Sequence, residues 1–384
     1  MADGSSAHPS LAPLANLPAL SLTERQILDL VWRRGPISRA ELGALTGLTG
    51  ATITRTAQRL FDLELIDETV LREGQRGQPS RAIHIVPSAA CSIGVYFSHH
   101  QLEIGVVDMA GIVRVAERHP IADASPAAIA DIAAEFAVRM ADAGHCDLAR
   151  LAGVGFALPG DFRGDPPVLN AHAYFPQLQH LDLQREFASR LSYPVFIEND
   201  AASAALGERS LGVGQRLESF LFVHIGHGVG GGMVLNGRLW RGANGNAGMI
   251  GIQFPNDRPR PSGQDLFAHL TAAGVAVDDF PDLEQLSPNG CPPLALWLRR
   301  AGRQLREQLS ITARLFDPHA IVIGGRLPAH LLRALTAEID QPDFCEEGMG
   351  FAKPRLIASQ LGPKSGVIGA ACLPILNSYF REDA

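Results

Sequence analysis

Residues 195–248 constrain this chain most. A short apolar strand, Val195 to Ile197, runs into Glu198-Asn199-Asp200, and a helix follows through Glu208. Phe220 to Ile225 and Gly231 to Leu235 then form a hairpin flanked by glycine, with Gly226-His227-Gly228-Val229-Gly230 between them. The same alternation fills the rest of the chain from residue 91. Cys91 to Phe97, Leu102 to Val107 and Ile112 to Val115 are three successive strands with tight connections. A helix from about Pro126 to Ala143 precedes the strand Leu151 to Ala157, which ends at Leu158-Pro159-Gly160. A long helix near residues 294–316 precedes the strand Ala320 to Ile323 and Gly324-Gly325. Strands and helices alternating in two halves predict a mixed α/β fold with two lobes and a cleft between them.

The N-terminal part follows another pattern. From Ser21 to Glu68 the spacing predicts three helices. Ser21 or Thr23 caps the first, whose apolar stripe is Ile27, Leu30 and Val31, and Gly35-Pro36 ends it. Ser38 caps a short second helix through Leu45. Gly47 and Leu48 form the turn, and Thr49 caps the third. In that helix Ile53, Ala57 and Leu60 face inward and leave Thr52, Thr54, Arg55, Gln58 and Arg59 outside. A small, polar, basic outer face suits an element entering the DNA major groove. Thr69 to Leu71 and Ala82 to Val86, joined by a Gly/Arg loop, predict a hairpin wing. Its Arg72, Arg76 and Arg81 are placed to grip the DNA backbone or a minor groove. A three-helix protein-interaction module with a solvated polar face is the competing reading; the wing favours DNA.

The chain has 384 residues, enough for two or three domains. It has no run of 18 apolar residues, so no membrane span is expected. Residues 1–20 lack a basic start and a continuous apolar core and are expected to be a disordered tail. Five cysteines at wide spacing offer no zinc-knuckle pattern and are expected to be reduced, buried thiols of a cytoplasmic protein. The net charge of −7 argues against polyanion binding by the whole surface. Between residues 21 and 87, nine arginines meet eight acids, a net of +1.

Five motifs in order carry a resemblance: PGDF at 159–162, ENDAASAALGE at 198–208, GHGVGGG at 226–232, NGRLWRGANGNAG at 236–248 and IVIGG at 321–325. Together they resemble the ROK family (repressors, open reading frames, kinases) over roughly residues 20–380. The resemblance implies a winged helix-turn-helix over 21–87, followed by an actin-like, ribonuclease H-like body over 88–384. The first lobe is expected at about 88–197 together with a C-terminal helix at about 365–384, and the second at about 198–364.

The resemblance also implies what a sugar kinase of the family needs, and much of it is missing. The base position is present as Asp200, with Asn199 beside it as a sugar hydrogen-bonder. The first phosphate turn, Asp-x-Gly-Gly-Thr in the family, is Tyr96-Phe97-Ser98-His99-His100 here. His227 stands where a small hydroxyl residue is usual and is expected to crowd the phosphates; alternatively the Gly226–Gly232 glycines only permit a tight hairpin near the cleft. Met249 and Ile252 replace a sugar-binding Glu and His, and the Cys-rich zinc loop is absent. The histidines 99, 100, 172, 224 and 227 are expected to be structural rather than metal ligands. No catalytic residue beyond a vestigial Asp200, no cofactor and no metal are therefore expected. The ligand residues expected are Gly160, Asn170, Asn199 and Asp200. The DNA contacts expected are Thr49, Thr52, Thr54, Arg55, Gln58, Arg59 and Arg76.

The expected function is a transcriptional regulator of carbohydrate genes, a repressor acting as a homo-oligomer (dimer or tetramer). Its partners would be a double-stranded DNA operator and a sugar or sugar-phosphate effector. Two alternatives stay open: an active sugar kinase carrying a DNA-binding domain, and an effector-independent DNA-binding dimer.

Overall fold

The computed structural model describes residues 17–71, 80–97, 101–164, 168–173, 175–255, 257–345 and 352–380. Most of the tail expected at residues 1–20, together with Arg72, Arg76, Ser98, His99 and His100, lies outside them.

The N-terminal elements start where local chemistry sets them. Helix α1 (Leu22–Arg34) is capped by Ser21, whose hydroxyl accepts from Glu24 N while Glu24 Oε2 accepts from Ser21 N at 2.7 Å. After β1 (Ile37–Ser38), helix α2 (Arg39–Thr46) repeats the device with Ser38 and Glu41. Gly47, at φ 69°, adopts the left-handed C-cap. Thr49 caps α3 (Gly50–Asp62) by accepting from Thr52 N. Strands β2 (Ile66–Leu71) and β3 (Ser80–Ile85) pair antiparallel from Ile66↔Ile85, and β1 joins the outer side of β3. The short β1 was not foreseen, since two residues carry no periodicity.

The first lobe contains β4 (Cys91–Phe97), β5 (Gln101–Asp108), β6 (Val113–Pro120), α4 (Pro126–Asp142), β7 (Leu151–Leu158), the small pair β8 (Gly160–Arg163) and β9 (Val168–Ala171), α5 (Leu183–Ala188) and β10 (Val195–Asn199). Helix α6 (Asp200–Leu211) follows β10 directly. The second lobe contains β11 (Phe220–Ile225), β12 (Val229–Leu235), β13 (Arg238–Trp240), α7 (Gly263–Ala272), α8 (Pro292–Phe316), β14 (Ala320–Gly325), α9 (Ala329–Ile339) and β15 (Arg355–Ala358). The sheets repeat one plan. In the order β10-β7-β4-β5-β6, β4 to β6 form an antiparallel meander and β7 and β10 run parallel to β4. In the order β13-β12-β11-β14-β15, β11 to β13 form the meander, and β14 and β15 continue parallel to β11.

Helix α10 (Ser365–Tyr379) ties the parts together. It lies on β4 and β7, where Gly94 and Gly155 meet the backbone of Ala371 and Ala370. It also crosses α6 so closely that a Cβ on Gly369 would overlap the Ser203 carbonyl. Its far end leaves the body: Ile375, Tyr379 and Phe380 share one core with Ile27, Leu28 and Val31 of α1 and Ile53, Ala57 and Leu60 of α3. Arg25 Nη1 donates to Phe380 O at 3.0 Å, and Trp32 packs on the Phe380 ring with centroids 5.2 Å apart. The N-terminal module therefore does not close its own core.

One sequence expectation is corrected. Cys91 and Cys146 form a disulfide, with Cα atoms 5.9 Å apart, while Cys291, Cys345 and Cys372 are free and buried. The pair joins the start of β4 to the segment before β7, a proximity that a separation of 55 residues conceals. Among the described residues no helix is long and apolar enough to cross a membrane.

Candidate functional site

Two surfaces bring together most of the residues expected to be functional. The first is α3. Ile53, Thr56, Ala57 and Leu60 are buried, and Thr54, Arg55, Gln58 and Arg59 are exposed along one side. Arg55 and Arg59 stand one helical turn apart, and neither belongs to an ion pair among those described. Gln58 Nε2 donates to Asp62 Oδ1 at 2.9 Å. Thr49 and Thr52 are joined through their hydroxyls at 3.0 Å, so both set the helix start as well as facing outward. On the wing, Arg81 pairs with Glu68 at 3.2 Å, and Arg39 meets the same carboxylate at 3.3 Å. Arg81 thus shares the Glu68 carboxylate with Arg39 while its side chain stays largely exposed. Arg76 lies outside the described residues.

The second surface is the cleft between the lobes, a cavity of about 300 Å³. Strand β10 delivers Asn199 and Asp200 to it. Asn199 Oδ1 caps α6 by accepting from Ala201 N and Ala202 N, at 2.9 and 3.1 Å. Its Nδ2 donates to Gly160 O at 2.8 Å. The Asn199 amide is thus used within the protein. It fixes Gly160 and the helix start, and so aims Asp200, while Asn199 itself lines the cavity. Behind it the Glu198 carboxylate, 1% exposed, accepts from Asn199 N at 2.9 Å and from Arg241 Nε at 2.7 Å.

Of the expected ligand residues, the cavity brings together Gly160, Asn199 and Asp200 but not Asn170. Asn170 sits opposite Asp161 on the β8–β9 pair, and its Oδ1 accepts from His180 N at 3.4 Å. Asp161 lines the cavity instead. The facing wall is the Gly226–Gly231 turn with Met249 and Ile252. The glycines of β12 do more than bend the chain. A Cβ on Gly232 would press on Ala201 O at 2.8 Å, so the strand packs directly on the start of α6. His227 also lines the cavity, and its ring packs edge-on against Phe267 and Phe280, with centroids 5.8 and 5.4 Å away.

Sequence reasoning missed Arg326, Arg260 and the part played by His224, all on the cavity wall. Arg326 follows Gly324-Gly325 directly, so its place beside a motif was the available signal. Its guanidinium stacks 4.5 Å from the centre of the Tyr96 ring, and its Nη1 is 3.7 Å from Glu103. The Tyr96 hydroxyl, 1% exposed with its ring, meets His224 Nε2 at 3.2 Å. Burial pushes the Tyr96 hydroxyl pKa up and the His224 pKa down, so both are neutral near pH 7. Tyr96 comes from the first lobe, Arg326 and His224 from the second. Together they pack on one another at the end of β4. Among the described residues no cluster of His, Cys, Asp and Glu could hold a metal ion.

A winged helix-turn-helix joined to a two-lobed body of sugar-kinase type defines the class. The sequence pattern of the ROK family matches residues 92–264. An uncharacterized protein of Sinorhizobium fredii, y4fQ, is 36% identical over 95% of this chain and 93% of its own length. The xylose repressor of Bacillus spizizenii is 24% identical over 92% of this chain and 95% of its own. A crystal structure of a ROK family transcriptional regulator, a homologue of the Escherichia coli MLC protein, superposes with a TM-score of 0.68 at 24% identity. It covers 93% of this chain and 96% of its own. The chain belongs to the ROK family.

Proposed function

We propose that this protein is a DNA-binding transcriptional repressor that senses a sugar or sugar derivative in the interlobe cleft and does not phosphorylate it. One observation carries the reading. Asp200 still lines the cavity, while Tyr96, Arg326 and His224 pack on one another at the end of β4, where the resemblance implies a phosphate turn. A ligand rich in hydroxyls finds Asp200 and Asp161 as acceptors and Arg260 and Arg326 as donors. A triphosphate finds the buried Tyr96 side chain, its hydroxyl on His224, where the resemblance implies an open glycine turn. The similarity to a xylose repressor supports the same reading.

Coupling follows the helices. The ligand would sit at the start of α6, α6 crosses α10 without room for side chains, and α10 ends in the core shared with α1 and α3. A change in lobe closure would therefore reach the recognition helix through rigid elements. Effector and DNA must change each other's affinity by the same factor. The protein would act in the cytoplasm as a homo-oligomer. A dimer would place two α3 helices on half-sites one or two helical turns apart.

The test is fluorescence anisotropy of DNA from the region upstream of this protein's own gene, at fixed salt, with a panel of sugars and sugar phosphates. Tight binding weakened by one sugar is expected. ATP-dependent sugar phosphorylation that disappears in Asp200→Asn would overturn the non-enzymatic reading. Tight DNA binding with no thermal shift from any sugar would replace sensing by an effector-independent scaffold.

A further inference from the structure

A cavity of about 300 Å³ lies where the DNA-binding module meets the body, between α1, α6, the β12–β13 turn and α10. Arg33, Arg209, Arg238 and Arg241 line it against one lining carboxylate, Asp29. Arg33 Nε pairs with Asp29 at 2.9 Å, and Arg241 pairs with Glu198 on the body side. Arg209 is held by carbonyls instead: its Nε donates to Gly237 O at 2.9 Å and its Nη1 to Gln215 O at 3.3 Å. The place a Cβ of Gly237 would occupy is 2.8 Å from Arg33 Nη1 and 3.2 Å from Arg209 Nη2. Two guanidinium heads, one from α1 and one from α6, therefore meet beside Gly237 on the cavity wall.

Like charges brought together in a partly buried place repel unless an anion lies between them. The Arg209 pKa is pulled down to about 10, by burial first and then by the charge of Arg33, with Asp29 and Glu218 offsetting only part. The rest of the wall includes Trp32, Leu239, Leu373 and Phe380. Trp32 Nε1 is buried without an acceptor.

The geometry points to a binding site for a small organic anion, a phosphate or carboxylate on an apolar or aromatic body, held between Arg33 and Arg209. Its charged end bridges the two guanidinium groups and its body lies along Trp32 and Phe380. Because one arginine belongs to α1 and the other to α6, the bound anion fastens the DNA-binding module to the body. This site is separate from the interlobe cleft and does not depend on what the cleft binds.

The experiment is calorimetric titration of the full chain with phenyl phosphate at constant ionic strength. The variants are Arg33→Gln, Arg209→Gln and Asp200→Asn. One saturable site is expected in the unsubstituted protein and in Asp200→Asn. Each arginine change should weaken it about tenfold or more, as the loss of one charge-assisted hydrogen bond does. Among the described residues Arg33 pairs only within its own helix, with Asp29, so Arg33→Gln disturbs the fold less than a change at Arg209, which holds the Gly237 and Gln215 carbonyls. Absence of a saturable heat, undiminished binding in Arg33→Gln, or loss only in Asp200→Asn would each overturn the assignment. The heat of binding needs neither DNA nor sugar, so failure here leaves the proposed function standing.

Discussion

At the residue scale, two side chains carry opposite kinds of information. Arg55 is exposed in mid-helix without an ion-pair partner among the described residues, and its exposure was legible because helical periodicity separates inside from outside. Arg55→Ala is expected to cost about 1–3 kcal/mol of operator binding and to relax specificity at one base pair. Anisotropy titrations on operator and scrambled DNA check this. Equal affinity of the variant and the parent for both would remove α3 from recognition. His224 was legible only as a buried structural residue, because its partner Tyr96 stands 128 positions away. Burial lowers its folded pKa, so the neutral form belongs to the folded state. The associated stability is complete above the unfolded value of about 6.5 and is lost as pH falls toward the folded value. Thermal midpoints measured from pH 7 down to pH 5 should therefore fall, and His224→Gln should flatten that fall. An unchanged slope would assign the dependence to another group.

At the element scale, the main strands of both sheets and helices α4, α6, α8 and α10 appear where the sequence pattern predicts them, because each is specified by its own residues. The short β8, β9, β13 and β15 and helices α5, α7 and α9 were not foreseen. What stayed hidden depends on contacts between distant elements: the Cys91–Cys146 bond, the Arg326–Tyr96 stack, and the exclusion of Asn170 from the cleft. Asn199 shows the same limit. The Asn-Asp motif located the site, but only the structure shows the amide bound to Gly160 O and the α6 cap. The α6–α10 crossing offers a sharp test. Gly369→Ala places a methyl against the Ser203 carbonyl, where backbone on both sides must move. A loss of roughly 1–3 kcal/mol is expected in denaturant unfolding, as for other overpacked sites. The DNA response to effector should weaken with it. Full stability in this variant would show that the two helices separate readily and cannot carry coupling.

At the scale of the whole molecule, the module over residues 21–87 is a recognisable unit in sequence yet an incomplete one in space. Phe380 is 2% exposed between α1 and the body. Phe380→Ala is expected to cost about 3–5 kcal/mol. It should also split the calorimetric transition, with the DNA-binding module melting ahead of the body. A single, unshifted transition would show that the module stands without α10.

The shared core also orders events during synthesis. The residues that read DNA leave the ribosome early, but Ile375, Tyr379 and Phe380, which finish their core, are made some three hundred positions later. A nascent or prematurely terminated chain thus has a recognition helix but no finished platform to hold it. A chain cut short before α10 is therefore expected to bind an operator weakly, and so not to occupy a site that it could never release in response to a ligand. Completeness of the polypeptide becomes a condition for touching the genome.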